Sequence, residues 1–384
     1  MSEVILRMEK MAQGGDALSH LEDGRVCFVS HALTGELVKV CLVQDKKDYA
    51  KGIAIEILEA NKERIKPRCP LYGKCGGCSF QHASLEFQKE SARVAVEELF
   101  RRFAHVELPL NWQIAFGEPF AYRNRVRVFR VQNSPSKFCW GFREEKSHKV
   151  IPIPACPILS RGLEKCLQSE KLPKVPELSL FDNGEGRISF YYPGMPAADF
   201  EKFAQNRVHI GGKEISMDSS VFFQSNLGLL PELVKVVKMA AGEGNRLIDL
   251  FSGVGFFAAF LEESFEKVIT VEREPGALRH ARKNLHSKAE NIALPAEDWL
   301  LQNDASRADV LIVDPPRTGL PPQALDAICK ACPKKILYVS CDPATLARDF
   351  AKIALSGYRI VQAKGFGFYP QTPHFEMFLE LGLL

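Results

Sequence analysis

From residue 244 to its end the chain alternates between strand-like and helix-like runs, and few architectures can bury such a pattern. NRLIDLF, KVITVE, ADVLIVD and KILYVS read as short apolar strands, while GVGFFAAFLEE, PGALRHARKNLH, QALDAICKA and ATLARDFAKIA carry helical spacing of apolar residues. Strand–helix alternation builds βαβ units, so this part is predicted to be an α/β, mainly parallel, doubly wound sheet. The closing runs YRIVQA and EMFLEL have no helix between them, which predicts an antiparallel strand among the parallel ones. In such a sheet, ligands bind beyond the carboxyl ends of the strands. The residues that follow each strand are therefore the ones to read for chemistry.

A chain of 384 residues exceeds one ordinary core, so other domains precede this sheet. Residues 4–58 read as short strands punctuated by Gly14-Gly15, Asp23-Gly24 and Gly35, the pattern of a small β-barrel. A basic, proline-interrupted linker (KERIKPRCP) and a cysteine cluster follow. Next, SLEFQKESARVAVEELFRRF (84–103) has helical periodicity, and 111–210 read as mostly β. The division expected is a β-barrel over 1–66, a central, mainly β domain over 67–210, and the α/β domain over 211–384, with helix 84–103 packing on the last. Hydrophobic residues at 46% and charged residues at 25% describe a soluble globular chain. No run of 18 apolar residues occurs, and MSEVILRMEKMAQGG lacks the apolar core of a signal peptide. The expectation is a cytoplasmic monomer with no membrane contact, its cysteines mostly reduced.

Charge is uneven. Between 120 and 150, eight basic residues (Arg123, Arg125, Arg127, Arg130, Lys137, Arg143, Lys146, Lys149) face two acids, Glu144 and Glu145. A local basic face suits a phosphate-rich partner, and Arg123, Arg125 and Arg127 fall on one side of a strand that could follow a nucleic-acid backbone. A salt-paired strand face is the plain alternative.

DLFSGVGFF (249–257) is a strand running into a glycine turn and a helix, with Glu272 ending the next strand. Glycines there permit close approach of a ligand, and an acid at that distance accepts hydrogen bonds from ribose hydroxyls. A simple packing turn has the same letters. DPPRTGL (314–320) adds Asp314 at the end of a third strand, fixed by two prolines. Two acids and a short glycine turn suit a cofactor carrying sulfonium and ammonium charges better than a dinucleotide pyrophosphate. LYVSCDP (337–343) ends a fourth strand in Cys341, either a packing residue or a nucleophile. Cys69, Cys75 and Cys78 (C-x5-C-x2-C) lie among Gly73, Gly76 and Gly77, and Cys156 stands between two prolines. Three closely spaced thiols in a reduced protein point to metal, and four cysteines suit zinc and [4Fe–4S] equally. Cys329 and Cys332 form a further C-x-x-C in a helical stretch with no partner pair, which gives a metal or redox role little weight, and Cys27, Cys41, Cys139 and Cys166 read as packing residues.

FFQSN (222–226), DLFSGVGFF, DPPRTGL, YVSCDPATLARD (338–349) and PQTPHFE (370–376) stand in the order found in the RNA uracil-5-methyltransferase family, which the chain resembles over nearly its whole length. The resemblance implies a Rossmann-like S-adenosylmethionine methyltransferase domain and an N-terminal, OB-like, RNA-binding TRAM barrel. It implies Cys341 as nucleophile and Glu376 of His374-Phe375-Glu376 as base. Gln224, Phe251, Glu272 and Asp314 would then contact S-adenosylmethionine, and Cys69, Cys75, Cys78 and Cys156 would hold a [4Fe–4S] cluster. Phe256 replaces the family's frequent Asn, and Gly367 replaces its usual Asp. The chemistry explains the residue types. C5 of uracil is a poor nucleophile; a thiolate adding to C6 makes an enolate, C5 takes the methyl, a base removes the C5 proton, and the thiolate leaves. The target base must leave its stack to reach such a thiol, which unpaired RNA makes less costly. The substrate implied first is 23S rRNA, with the tRNA T-loop as alternative. A dinucleotide oxidoreductase would give the DPPR loop and the Cys341–Glu376 pair no role, and a non-catalytic iron–sulfur RNA-binding protein is the other class left open.

Overall fold

The computed structural model describes residues 2–134, 137–169, 171–286 and 289–383. The chain divides into two compact units interleaved in sequence: one of residues 1–96, 131–157 and 369–373, the other of 97–130, 158–368 and 374–384.

In the first unit, β1 (Glu3–Arg7), β2 (Lys10–Met11), β3 (Ala17–His20), β4 (Val26–Ser30), β5 (Leu37–Asp45) and β6 (Tyr49–Glu59) form one sheet in the order β1-β5-β6-β4-β3-β2. Side chains alternate across a strand, so Val38 and Val40 of β5 point into a core shared with Met8, Cys27, Val29 and Ala50. Gly52 lets β6 approach β5, since a Cβ there would lie 2.2 Å from Val40. The β-rich N-terminal expectation is met; β3, too short to show a pattern, was not legible. Helix α1 (Leu85–Leu99) begins after Ser84, whose Oγ accepts the Phe87 amide at 3.1 Å. A π-turn over Phe100–Ala104 prolongs it, and His105 ends it in the left-handed region.

Chain order continues with β7 (Gln113–Phe116), β8 (Arg125–Ser134), β9 (Lys137–Arg143), β10 (Val150–Pro152), α2 (Arg161–Leu167), β11 (Glu177–Asp182), β12 (Ile188–Tyr191), α3 (Ala197–Asp199), β13 (Gln205–Ile210) and β14 (Lys213–Asp218). The mostly β reading of 111–210 holds, with two short helices added. In the second unit, Val126 and Val128 of β8 are buried where β8 pairs antiparallel with β11.

After α4 (Leu230–Ala241), the α/β rhythm appears as expected: β15 (Gly244–Leu250), α5 (Phe256–Leu261), β16 (Phe265–Val271), α6 (Pro275–Asn284), β17 (Ala289–Ile292), α7 (Ala296–Gln302), β18 (Val310–Val313), α8 (Pro322–Ala331), β19 (Lys335–Ser340), α9 (Pro343–Ala354), β20 (Tyr358–Gly367) and β21 (Glu376–Leu383). The sheet order is β17-β16-β15-β18-β19-β21-β20-β7. The first five strands are mutually parallel, and β21 is antiparallel to both β19 and β20. Strand β7 adds itself parallel to β20 at the edge. Successive residues of the central strands, such as Val310–Val313, are all buried, as expected where helices cover both faces. Each such aliphatic side chain contributes about 1.5–3 kcal/mol of burial. Phe100 of the π-turn packs on Phe350 of α9, ring centroids 6.1 Å apart.

Candidate active site

Phe251, Glu272, Asp314 and Cys341 are each the first residue after one of four neighbouring parallel strands, β15, β16, β18 and β19. Backbone pairing therefore gathers them on one carboxyl edge. Glu376 arrives from the other direction. It is the first residue of β21, and β21 pairs Met377 with Ser340, so Glu376 stands next to Cys341 across the two strands.

The turn after β15 is held in unusual backbone. Phe251 has φ 59°, and Gly253 and Gly255 follow at 54° and 74°. A left-handed phenylalanine is uncommon and marks a position the surroundings dictate. The Glu272 carboxylate fixes the turn by accepting the Gly253 amide at 2.9 Å, while its other oxygen accepts the Glu274 amide at 2.7 Å. Asp249, fully buried, accepts the Ala258 amide through Oδ2 at 3.2 Å. Among the described residues, Asp249 Oδ1, Ser252 Oγ and Gln224 Oε1 are buried without partners. Buried polar atoms are nearly always satisfied, so the two such atoms at the strained turn, with a third on Gln224, whose side chain bonds Glu376, fit a polar ligand with ammonium and hydroxyl donors. S-adenosylmethionine has that donor set. Asp249 lay inside the DLF run but was not singled out; only its burial distinguishes it.

Electrostatics ties the acids together. Burial pushes the Asp249 carboxyl up to about 8, and the charges of Asp314 and Glu272 add to the effect. Burial pushes Asp314 up to about 7. Glu376, 3% exposed, is raised to about 8 by burial and then by Asp314, while a hydrogen bond from Gln224 and the Arg317 charge oppose the shift. The Cys341 thiol is pushed up to about 11, first by burial and then by Glu376 and Asp314, with Arg317 again opposing. The neighbouring helix does not relieve it: Asp342 caps α9 by accepting the Ala344 and Thr345 amides at 3.0 Å. The first amides of α9 thus go to Asp342.

Both departures from the family pattern have local partners. Phe256 packs edge-on against Phe223, Phe257 and Phe260, with centroids 5.8, 5.2 and 5.3 Å away. Gly367 lies under the Phe116 ring, and a Cβ there would meet it at 2.6 Å. Two residues earlier, Gly365 lies under Phe375, so glycines seat the aromatic residue that precedes Glu376.

The proposed phosphate-following strand is corrected in part. Arg127 pairs with Glu177, as in the salt-paired alternative, and Arg125 donates to the Val221 carbonyl. Arg123 and Arg317 both act electrostatically on His374. Lys137, from the same basic window, has its side chain outside the described residues.

Cys69, Cys75, Cys78 and Cys156 are all half-buried in the first unit. The Cys69–Cys78 loop is fixed by the Cys75 amide bonding the Leu71 carbonyl at 2.9 Å and the Gly76 amide bonding the Arg143 carbonyl at 3.1 Å. Among the described residues no group of three or more His, Cys, Asp or Glu is arranged around a metal ion. Cys332 donates to the Cys329 carbonyl at 2.9 Å and ends α8 at φ 49°, in keeping with a packing role. No helix among the described residues is long and apolar enough to cross a membrane.

The tRNA (Uracil-5-)-methyltransferase family pattern matches residues 300–382, and the methyltransferase small domain pattern matches 217–330. An RNA methyltransferase of Treponema denticola is 29% identical over 98% of this chain and 98% of its own length. The 23S rRNA (uracil(1939)-C(5))-methyltransferase RlmD of Edwardsiella ictaluri is 29% identical over 92% of this chain and 90% of its own. Among solved structures, the Pyrococcus abyssi tRNA (uracil-54, C5)-methyltransferase in complex with S-adenosyl-L-homocysteine superposes with a TM-score of 0.74, covering 99% of this chain and 100% of that one at 22% identity. That likeness establishes the fold.

Proposed function

This chain belongs to the RNA uracil-5-methyltransferase family, and on that premise we propose that it methylates C5 of a uracil in 23S rRNA, using S-adenosylmethionine as donor, Cys341 as nucleophile and Glu376 as base. The observation that carries the assignment is the pairing of β19 with β21, which sets Cys341 and Glu376 side by side. Gln224, Phe251, Glu272 and Asp314 hold the donor, which supplies an electrophilic methyl group when bound. The Cys341 thiolate forms a bond to C6, and the resulting enolate makes C5 nucleophilic. Once C5 carries the methyl, Glu376 takes the C5 proton, and the C6–S bond breaks to restore the uracil ring.

The finer parts of the reading belong to the same proposal. Residues 1–66 form a TRAM-type RNA-binding domain, 67–210 the central domain and 211–384 the methyltransferase domain of a monomeric, cytoplasmic, rRNA-processing enzyme. Cys69, Cys75, Cys78 and Cys156 supply the four thiolates that a [4Fe–4S] cluster needs, with a structural role. A direct test incubates the purified protein and S-adenosylmethionine with 23S rRNA and tRNA transcripts, and maps methyluridine by mass spectrometry. Methylation of 23S rRNA at one uridine supports the reading; methylation of the tRNA T-loop alone selects the tRNA alternative; no methylation of either sinks both.

A further inference from the structure

The end of the loop after β18, Arg317–Leu320, is clipped to helix α9 by three hydrogen bonds. Thr345 Oγ1 donates to the Arg317 carbonyl at 3.3 Å, Arg348 Nη2 donates to the Thr318 carbonyl at 2.9 Å, and the Leu320 amide donates to Asp349 Oδ2 at 2.8 Å. Between these clips Gly319 sits at φ 78°, so close that a Cβ would lie 2.5 Å from Arg348 Nη2 and 2.6 Å from Asp349 Oδ2. Asp349 is the hub. It is fully buried, Oδ2 also accepts the Tyr338 hydroxyl at 2.7 Å, and Oδ1 accepts Arg348 Nε at 3.0 Å and Nη2 at 2.7 Å. A carboxylate taken this far from water is stable only because its oxygens are filled by donors, and one of those donors is the loop itself.

These contacts have a geometric consequence. Helix α9 starts two residues after Cys341, and the clipped loop carries Arg317 three residues after Asp314. Loop and helix therefore move together, and the nucleophile and the exposed guanidinium are held in one frame. We propose that Asp349, with Arg348, Tyr338 and Thr345, is a positioning network that holds the Arg317–Leu320 end of the loop on α9 and so fixes Arg317 in one frame with Cys341. The proposal rests on the reading of Cys341 as nucleophile. Arg317 is the cation that favours the ionised thiol there, and no residue of the network touches the reacting atoms.

The test is the pH dependence of Cys341 alkylation by iodoacetamide in the RNA-free protein, followed by peptide mass spectrometry, for wild type, Asp349→Asn, Arg317→Ala and the double variant. Each single substitution should move the alkylation midpoint upward by at least half a pH unit. The double variant should match Arg317→Ala, because Asp349 acts through Arg317. Covalent capture of 5-fluorouridine RNA should slow at least tenfold in Asp349→Asn, with S-adenosylmethionine affinity changed less than threefold. An unshifted midpoint in Asp349→Asn, or shifts that simply add in the double variant, would overturn the network. If Asp349→Asn does not fold, Tyr338→Phe, which removes the bond to Asp349, and Thr345→Val, which removes those to the Arg317 and Asp342 carbonyls, should give smaller shifts of the same sign; no shift in either overturns it equally. The nucleophile assignment fails separately, through a Cys341→Ala protein that still turns over.

Discussion

At the scale of single residues, the site is a set of groups whose charges are expensive where they stand. Cys341→Ala removes the only group proposed to bond C6. Turnover and the covalent complex with 5-fluorouridine RNA should both be lost, while S-adenosylmethionine still binds by calorimetry; substantial residual methylation would reject the role. Glu376 must be ionised to take a proton, yet its carboxyl is raised to about 8. In single-turnover reactions on uridine RNA, the step that releases product should therefore accelerate as pH rises through about 8, since only the ionised fraction works. Glu376→Gln should form the methylated covalent complex but release it at least tenfold more slowly, with no acceleration across that range. Release at the wild-type rate would mean that another group deprotonates C5.

At the scale of elements, what matters is how strand ends are seated. The turn from β20 toward Glu376 is shaped by Gly365 and Gly367, which lie under Phe375 and Phe116, and β7 supplies Phe116. The glycine that departs from the family pattern is thus matched to an aromatic on the added edge strand. Gly367→Asp should destabilise the protein by about 1–3 kcal/mol through overpacking, measured by urea denaturation. Phe116→Ala in the same chain should recover part of that loss, a non-additive pair because the two side chains compete for one space. A Gly367→Asp variant as stable as the parent would show that the ring moves aside at no cost.

At the scale of the whole molecule, buried carboxyls couple stability to pH. Asp249, Asp314 and Glu376 stand at about 8, 7 and 8 in the folded chain, above their unfolded values of 3.8, 3.8 and 4.5. Raised groups bind more protons folded than unfolded. Their stabilising contribution is full below about pH 4 and is lost as pH rises through about 7 to 8, at about 1.4 kcal/mol per pH unit for each proton. Denaturation of the ligand-free protein from pH 5 to 9 should show stability declining with pH on this account, and Glu376→Gln should flatten the decline. A slope identical in the variant would place the titration elsewhere. The thiols of the first unit give a second whole-molecule test. Protein purified without oxygen should carry about four irons and four sulfides per chain, and Cys156→Ser should lose them and bind RNA more weakly while keeping its S-adenosylmethionine affinity. Stoichiometric zinc without sulfide would refute the cluster.

The sequence by itself determined the α/β half, the antiparallel closing pair and the positions of Phe251, Glu272, Asp314 and Cys341, because strand and helix periods and strand-ending residues are local signals. It named Cys341 and Glu376 through motifs thirty-five residues apart. Only the tertiary structure decided that β21 turns back beside β19 to put them together, and that β7, four residues with no strong pattern, joins β20. It also decided that Arg125 and Arg127 face protein partners, that the amides of α9 serve Asp342, and that the Cys341 thiol resists ionisation. Each of these depends on which distant group fills the space around a charge or a strand edge, and burial and pairing over such distances leave no periodic trace in the chain.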